Sequence, residues 1–196
     1  MRIGIVGSAC DPPHKRHIEM GERARKALRL DKILFIPTNI PPHKARPSAG
    51  AKDRLSMARL AAQDLPRWEI SDMELRRRGK TYTKDTIRQL KKIYPNDELY
   101  WIVGYDAITS MPWAWKGGYD ILDECQFVVA HRPGYSLHRV KKSVLKKILV
   151  LERTFKRDVS STMIRSVIQL KKNPARFLDS RVLTYIKKKK LYETSA

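Results

Sequence analysis

The chain has 196 residues, enough for one well-buried domain with room for a small appendage, and its 41 Lys plus Arg against 20 Asp plus Glu leave a formal charge of +21. No run approaches the roughly eighteen consecutive apolar residues of a membrane-spanning helix, and two cysteines, Cys10 and Cys125, form neither a disulfide framework nor a metal-ligand spacing. The charge is uneven, with 18 basic and 4 acidic side chains in residues 131–196, but no helix-turn-helix, zinc-finger or RNA-binding motif accompanies it, so it reads first as a solvated basic surface.

Apolar, β-branched runs alternate with helical patterns along the chain. Residues 3–6 predict a first strand, and 18–28 a helix with apolar or small residues at 18, 20, 24, 27 and 28. Residues 32–37 (KILFIP) predict a second strand stopped by proline, and 51–64 a helix with Leu55, Ala58 and Ala62 on one face. Residues 68–75 read as strand, 83–94 as a helix with Thr83 as its N-cap, and 99–103 (LYWIV) as a buried strand ending at Gly104. Short helices are expected over 106–111 and 119–124, a strand over 126–130 (QFVVA), and the last strand over 144–151. Beyond Asp158 the pattern turns helical over 162–171, 174–177 and 179–189. Such alternation argues an α/β fold, a Rossmann-like open parallel sheet with helices on both faces. The expectation is a single domain over 1–196, with a C-terminal helical subregion from residue 160. Met1-Arg2-Ile3 leads straight into strand-like sequence without the features of a signal peptide, so the cytoplasm is the expected compartment.

Five constellations carry chemistry. In the first, Gly7 ends a strand, the turn Ser8-Ala9-Cys10-Asp11-Pro12-Pro13 follows, and His14 and His17 open a helical pattern. Ligands of an open parallel sheet bind beyond the carboxyl ends of its strands. A helix N-terminus there favours anions, so the loop suits phosphate chemistry. No GxxxxGK[ST] of a P-loop occurs, and no third ligand stands at zinc spacing beside the histidines, so no residue is assigned to a metal. The second is Pro37-Thr38-Asn39-Ile40-Pro41-Pro42-His43-Lys44, a proline-stiffened loop with a terminal cation. The third runs from Asp72-Met73-Glu74-Leu75 into Gly79-Lys80-Thr81-Tyr82-Thr83-Lys84-Asp85-Thr86. In the fourth, Gly104-Tyr105-Asp106 closes a strand, where a carboxylate can accept from ribose hydroxyls. Trp113 and Trp115 follow, each able to stack on a flat ring or to serve as packing. The fifth is Asp158-Val159-Ser160-Ser161-Thr162-Met163-Ile164-Arg165, a hydroxyl-rich helix start with an arginine one turn in.

These segments, in this order, resemble the signatures of the nucleotidylyltransferases, and most closely those of the bacterial nicotinate-nucleotide adenylyltransferase family. The first loop is similar to GG(T/S)FDPxHxGH, the second to PTxxPPHK and the third to ExxRxGxSYTxDTL. A GxD with a following tryptophan, an ISSTxIR segment, and a YI…LY ending at Tyr185-Ile186 and Leu191-Tyr192 complete the match, which spans residues 3 to 192. The chain departs from the pattern at Ser8, Ala9 and Cys10, and at Arg16, which stands where the family has the glycine of HxGH. The resemblance implies adenylyl transfer from ATP to nicotinate mononucleotide, giving deamido-NAD and pyrophosphate, by in-line attack without a covalent enzyme intermediate. It implies that His14 and His17 bond the phosphates, that His43 and Lys44 face the triphosphate, and that Ser161 and Arg165 clamp it. Gly7, Ser8, Asp11, Gly104, Asp106, Arg132, Ser160 and Thr162 join the implied nucleotide site. Thr83 and nearby backbone would hold the pyridine substituent. Trp115 is the match for the stacking tryptophan counted back from Arg132-Pro133-Gly134-Tyr135, with Trp113 the alternative. Mg²⁺ would accompany ATP, bridging phosphate oxygens. The implied partners are the two substrates and a possible homo-oligomer, with no membrane and no specific nucleic acid. Arg16, whose bulk would hinder the base, is expected to turn aside toward Glu19 one turn on.

Three other readings fit less of the chain. Pantetheine-phosphate adenylyltransferases share the first loop but match the third, fourth and PPHK segments poorly. Class I aminoacyl-tRNA synthetases share a related HxGH but carry a KMSKS-like loop absent here. A basic nucleic-acid-binding protein would explain the charge and leave the SSTxIR and PPHK matches unexplained.

Overall fold

The computed structural model describes residues 1–42, 45–130, 140–151 and 159–193. Strand β1 (Arg2–Ser8) leads into helix α1 (Lys15–Ala27), strand β2 (Lys32–Pro37), helix α2 (Ala51–Ala62) and strand β3 (Trp68–Ile70). Helix α3 (Thr83–Ile93), strand β4 (Glu98–Gly104), helix α4 (Tyr105–Ala114), a 3-10 helix (Gly118–Asp123) and strand β5 (Gln126–Ala130) follow. The short helix α5 (Lys142–Leu145), strand β6 (Ile148–Leu151) and helices α6 (Ser161–Gln169) and α7 (Ser180–Lys188) close the chain. The strands form one parallel sheet in the order β3-β2-β1-β4-β5-β6. It is the α/β sheet expected from the alternation of elements.

A parallel sheet covered on both faces needs strands apolar at every position, and the four central strands meet that demand. Ile3, Ile5, Leu34, Ile36, Leu99, Trp101, Val103, Phe127 and Val129 turn to one face, where Ile87 and Leu90 of α3 and Ile108 and Met111 of α4 cover them. Val6, Ile33, Phe35, Tyr100, Ile102, Val128 and Ala130 turn to the other, against Met20 and Ala24 of α1 and Ala58 and Ala62 of α2. Each Val, Leu, Ile, Phe or Met side chain so buried contributes roughly 1.5–3 kcal/mol relative to exposure. Met57 and Ala61 of α2 face outward into a third cluster with Ile164 of α6 and Val182 and Ile186 of α7. This layer carries the C-terminal helices back over the loop that follows β1.

Two expected strands are shorter than the sequence pattern. Only Trp68–Ile70 pairs with β2; the Ser71 N–H makes a last bond to the Phe35 carbonyl and the chain then turns away, taking Glu74 into a buried bond with Thr86. Residues 144–151 split into the end of α5 and β6, because Val144 packs inward from a helical turn and Lys147 reaches Asp123. The first helix begins earlier than its apolar periodicity, at Lys15, so that His14 is its N-cap and His17 sits in its first turn. Thr83 is the first residue of α3, and Tyr82 takes the N-cap position.

Candidate active site

The sheet order reverses at β1, whose neighbours are β2 and β4, so the crevice beyond the carboxyl ends of β1 and β4 is the switch point where ligands of this fold bind. Helix α1 starts there. The backbone N–H of His14 donates to Nδ1 of His17 at 3.1 Å. Nδ1 is therefore the acceptor, and the neutral ring carries its proton on Nε2, which lies 2.9 Å from Ser8 Oγ. Ser8 Oγ also accepts from the Cys10 N–H at 3.2 Å. With two donors on its lone pairs, the hydroxyl keeps its own proton to give to a ligand. The His14 ring stacks on His17 with centroids 3.8 Å apart and planes 20° apart. Its Nδ1 is buried with no hydrogen-bond partner among the described residues. Burial, assisted by the charge of Arg16, lowers the His14 pKa to about 3, so this imidazole is neutral at ordinary pH. A cleft of about 250 Å³ is lined by Pro13, His14, Lys15, Ile18, Ala61 and Asp179.

Asp11 is buried beneath this loop. Its Oδ2 accepts from the Ser48 N–H at 2.8 Å, and its Oδ1 accepts from the Ala49 N–H at 2.9 Å and the Tyr192 hydroxyl at 3.0 Å. The α6 end of the chain converges on the same loop. Ser161 Oγ donates to the Pro12 carbonyl at 2.9 Å, and Arg165 donates to the Asp11 carbonyl at 2.8 Å while lying 3.4 Å from Asp11 Oδ2. Arg165 also reaches Thr162 Oγ1, and Ser160 caps α6 by accepting from the Met163 N–H at 3.2 Å. Residues about 150 positions apart in sequence thus share one hydrogen-bonded surface.

Arg54 organises the loops, a role that none of the five constellations carries. Buried on α2, it donates to the carbonyls of Ala9 at 2.8 Å, Asn39 at 3.1 Å and Ala49 at 3.2 Å, and to that of Thr38. One guanidinium therefore ties the loops after β1 and β2 to the start of α2. Its signal was available: Arg54 shares the buried face of α2 with Met57, Ala58 and Ala61, where an arginine needs partners.

At the end of β4, Gly104 leaves space that other groups use. A Cβ there would stand 2.7 Å from Asp106 Oδ1 and 3.7 Å from Arg16 Nη2. Arg16 thus extends toward β4, and the Glu19 carboxylate toward which it was expected to turn pairs with Arg23 at 2.7 Å. Gly7 has a packing reason of its own, since a Cβ would lie 3.1 Å from the Trp101 ring.

Beyond α3, a small cleft is lined by Pro42, Tyr82, Thr83, Trp115, Lys116 and Ile121. Trp115 meets Phe127 edge-on, with centroids 6.3 Å apart, whereas Trp113 is 77% exposed. Thr83 and Trp115 therefore share one cleft and Trp113 stands outside it. Behind the cleft, Thr86 Oγ1 donates to Glu74 Oε1 at 2.6 Å and accepts from Arg77 at 2.9 Å. Burial pushes the Glu74 carboxyl up, and the hydroxyls of Thr86, Thr81 and Thr38 oppose that rise. His43, Lys44 and Arg132 lie outside the described residues.

An open parallel sheet whose switch point holds a neutral imidazole donor, a helix N-terminus and a second hydroxyl-rich helix start defines a nucleotide-handling α/β protein. Residues 5–167 match the model of the cytidylyltransferase-like family, and the chain belongs to that family. Among its relatives is a protein of Oceanobacillus iheyensis named "Probable nicotinate-nucleotide adenylyltransferase", 37% identical over 97% of this chain and 96% of its own length. A protein of the same name from Listeria monocytogenes is 38% identical over 97% of both chains. The solved structure of Plasmodium falciparum nicotinic acid mononucleotide adenylyltransferase complexed with NaAD shares the fold, with a TM-score of 0.80, 19% identity and 97% of each chain covered.

Proposed function

We propose that this chain is a nicotinate-nucleotide adenylyltransferase, moving the adenylyl group of ATP onto the phosphate of nicotinate mononucleotide to give deamido-NAD and pyrophosphate. The observation that carries the reading is the fixed His17 imidazole at the start of α1, oriented through Nδ1 by the His14 N–H and carrying its proton on Nε2, where it meets the Ser8 hydroxyl that a phosphate oxygen would join. Whole-length relatives of that name support it. In the reaction a phosphate oxygen of the mononucleotide attacks the α-phosphorus of ATP in line, and the bond to the bridging oxygen of the β-phosphate breaks. The attacking phosphate monoester is already ionised near neutral pH, so no base is required. The chain's task is positioning and stabilisation of charge on the phosphoryl oxygens. His17 and Ser8 are suited to donate to those oxygens, with His14, neutral, stacked behind His17. Ser161, Thr162 and Arg165, capped by Ser160, would hold the triphosphate from the α6 side, completed by His43, Lys44 and Arg132. Asp106 would accept from a ribose hydroxyl, and Thr83 and Trp115 would receive the pyridine ring. Magnesium enters this reading as part of the MgATP substrate, neutralising phosphate charge. Among the described residues no helix is long and apolar enough to cross a membrane; we place the enzyme in the cytoplasm.

A coupled pyrophosphate-release assay tests the reading, offering ATP with nicotinate mononucleotide, nicotinamide mononucleotide or phosphopantetheine. Release with nicotinate mononucleotide is expected. Release confined to phosphopantetheine, or none with any acceptor, overturns it.

A further inference from the structure

We propose that Arg16 is a phosphate-binding residue of the nucleotide site, resting beside Asp106 at the mouth of the β1–β4 crevice and moving onto the α-phosphate when ATP enters. The inference rests on the reading that ATP occupies that crevice. Arg16 is the second residue of α1 and is half-buried. Its Nη2 and the Asp106 Oδ1 both lie within 4 Å of the point where a Gly104 Cβ would stand. The guanidinium thus reaches from the start of α1 to the carboxyl end of β4, over the switch point. Gly104 keeps that corner open, because a Cβ would collide with the Asp106 carboxylate. The Arg16 charge also helps hold His14 neutral, which places it electrostatically within the same site.

Three physical points turn this placement into a role. A guanidinium is charged at every working pH, and its planar fork matches two phosphate oxygens at once. Asp106 standing alone at the mouth would repel an approaching triphosphate, whereas a neighbouring guanidinium cancels that charge and adds attraction. When ribose hydroxyls donate to Asp106, its charge is engaged by the sugar, and the long Arg16 side chain can turn from that corner toward the phosphate by rotation about its own bonds. Arg16 would then add a mobile cation to the fixed donors of His17 and the helix start.

The test compares wild type with Arg16→Gln, Arg16→Lys and Arg16→Gly. Calorimetric titration with ATP, AMP and adenosine separates phosphate from base and ribose, and pyrophosphate release gives kcat and KM. Arg16→Gln is expected to weaken ATP and AMP by about tenfold to a hundredfold, the scale of hydrogen bonds to a charged group. Adenosine should bind as before, the KM for nicotinate mononucleotide should move less than that for ATP, and Arg16→Lys should recover part of the loss. ATP and AMP bound equally well or more tightly by Arg16→Gln and Arg16→Gly overturns the proposal, as does a parallel loss of adenosine. Wild type that binds ATP yet releases no pyrophosphate with nicotinate mononucleotide overturns the proposed reaction alone. Full wild-type turnover with undiminished AMP binding by Arg16→Gln overturns the Arg16 role alone.

Discussion

Around the β1–α1 loop, the polar side chains that shape the crevice are bonded into the chain before any ligand arrives. Asp11 takes two backbone N–H groups and a tyrosine hydroxyl, Arg54 ties three loop segments, Arg165 and Ser161 hold the loop carbonyls, and His17 is oriented from Nδ1. The cleft of Trp115 and Thr83 is held differently. Its charged neighbours form outlying pairs, Lys84 with Glu124 and Lys116 with Asp85, each at 3.7 Å, and pairs of that kind contribute little. Glu74 and Thr86 supply a buried polar bond behind it. The end proposed for the phosphates therefore meets the entropic cost of positioning at the moment of folding. The end proposed for the pyridine ring relies on an aromatic plane and the start of α3. Changes at the first should alter stability and rate, and changes at the second should alter which acceptor is taken.

The largest effect is expected at Asp11. Asp11→Ala leaves the N–H groups of Ser48 and Ala49 and the Tyr192 hydroxyl without their acceptor, and removes the carboxylate 3.4 Å from Arg165, which keeps its bond to the main-chain carbonyl. Loss of a buried charged partner costs about 3–5 kcal/mol, readable as a lower urea midpoint. A change below about 1 kcal/mol, the scale of one ordinary hydrogen bond, would show that the loop is not held through Asp11. His17→Ala comes next. His17 is only half-buried, so the fold should survive while kcat falls by about 10²–10³, the usual cost of one donor to developing charge. Near-normal turnover would sink its role.

Legibility in the sequence follows the same division. Strands β2 and β5 coincide with the apolar runs KILFIP and QFVVA, because burial on both faces leaves no room for polar residues. The strand end, turn and helix start of loop 7–17 are legible because they are local features. Residues 71–75 misled because Glu74 satisfies a long-range bond with Thr86, which no strand pattern encodes. The α5 turn misled in the same way, since Val144 is apolar in either conformation. Helix spacing predicts Arg16 beside Glu19, yet Arg23 at the i+4 position pairs with Glu19 and Arg16 extends across to β4. Arg54 is visible only as an odd cation on an apolar face, since its partners come from two loops, the one after β1 and the one between β2 and α2.

On the acceptor side, Trp115→Ala is expected to weaken nicotinate mononucleotide by on the order of 1–3 kcal/mol, the scale of base–aromatic stacking. ATP affinity and the urea midpoint should change little. Trp113→Ala, at a side chain 77% exposed and outside the cleft, should leave both substrates' KM values near wild type. A larger acceptor effect from Trp113→Ala would move the stacking position and remove the contrast between the two ends.

The smallest effect concerns pH and separates the ends in another way. Burial, with Arg16 adding, holds the His14 pKa down to about 3, against about 6.5 for an unstrained imidazole. Below about pH 6.5 the unfolded chain takes up a proton that the native chain refuses until near pH 3. Native stability is thus lost progressively as pH falls through that window, and above it the group contributes no slope. The loss from this one residue is at most about 1.4 kcal/mol per pH unit, and less where water relaxes the site. Carboxylates elsewhere add slopes of their own, so the informative quantity is a difference. Urea midpoints measured from pH 8.5 to pH 4.5 should fall more steeply on acidification for wild type than for His14→Gln, with the two curves parallel above pH 7. Parallel curves throughout would show that His14 is not buried as a neutral ring. No comparable slope is expected from Trp115→Ala, because the stacking plane carries no proton to lose.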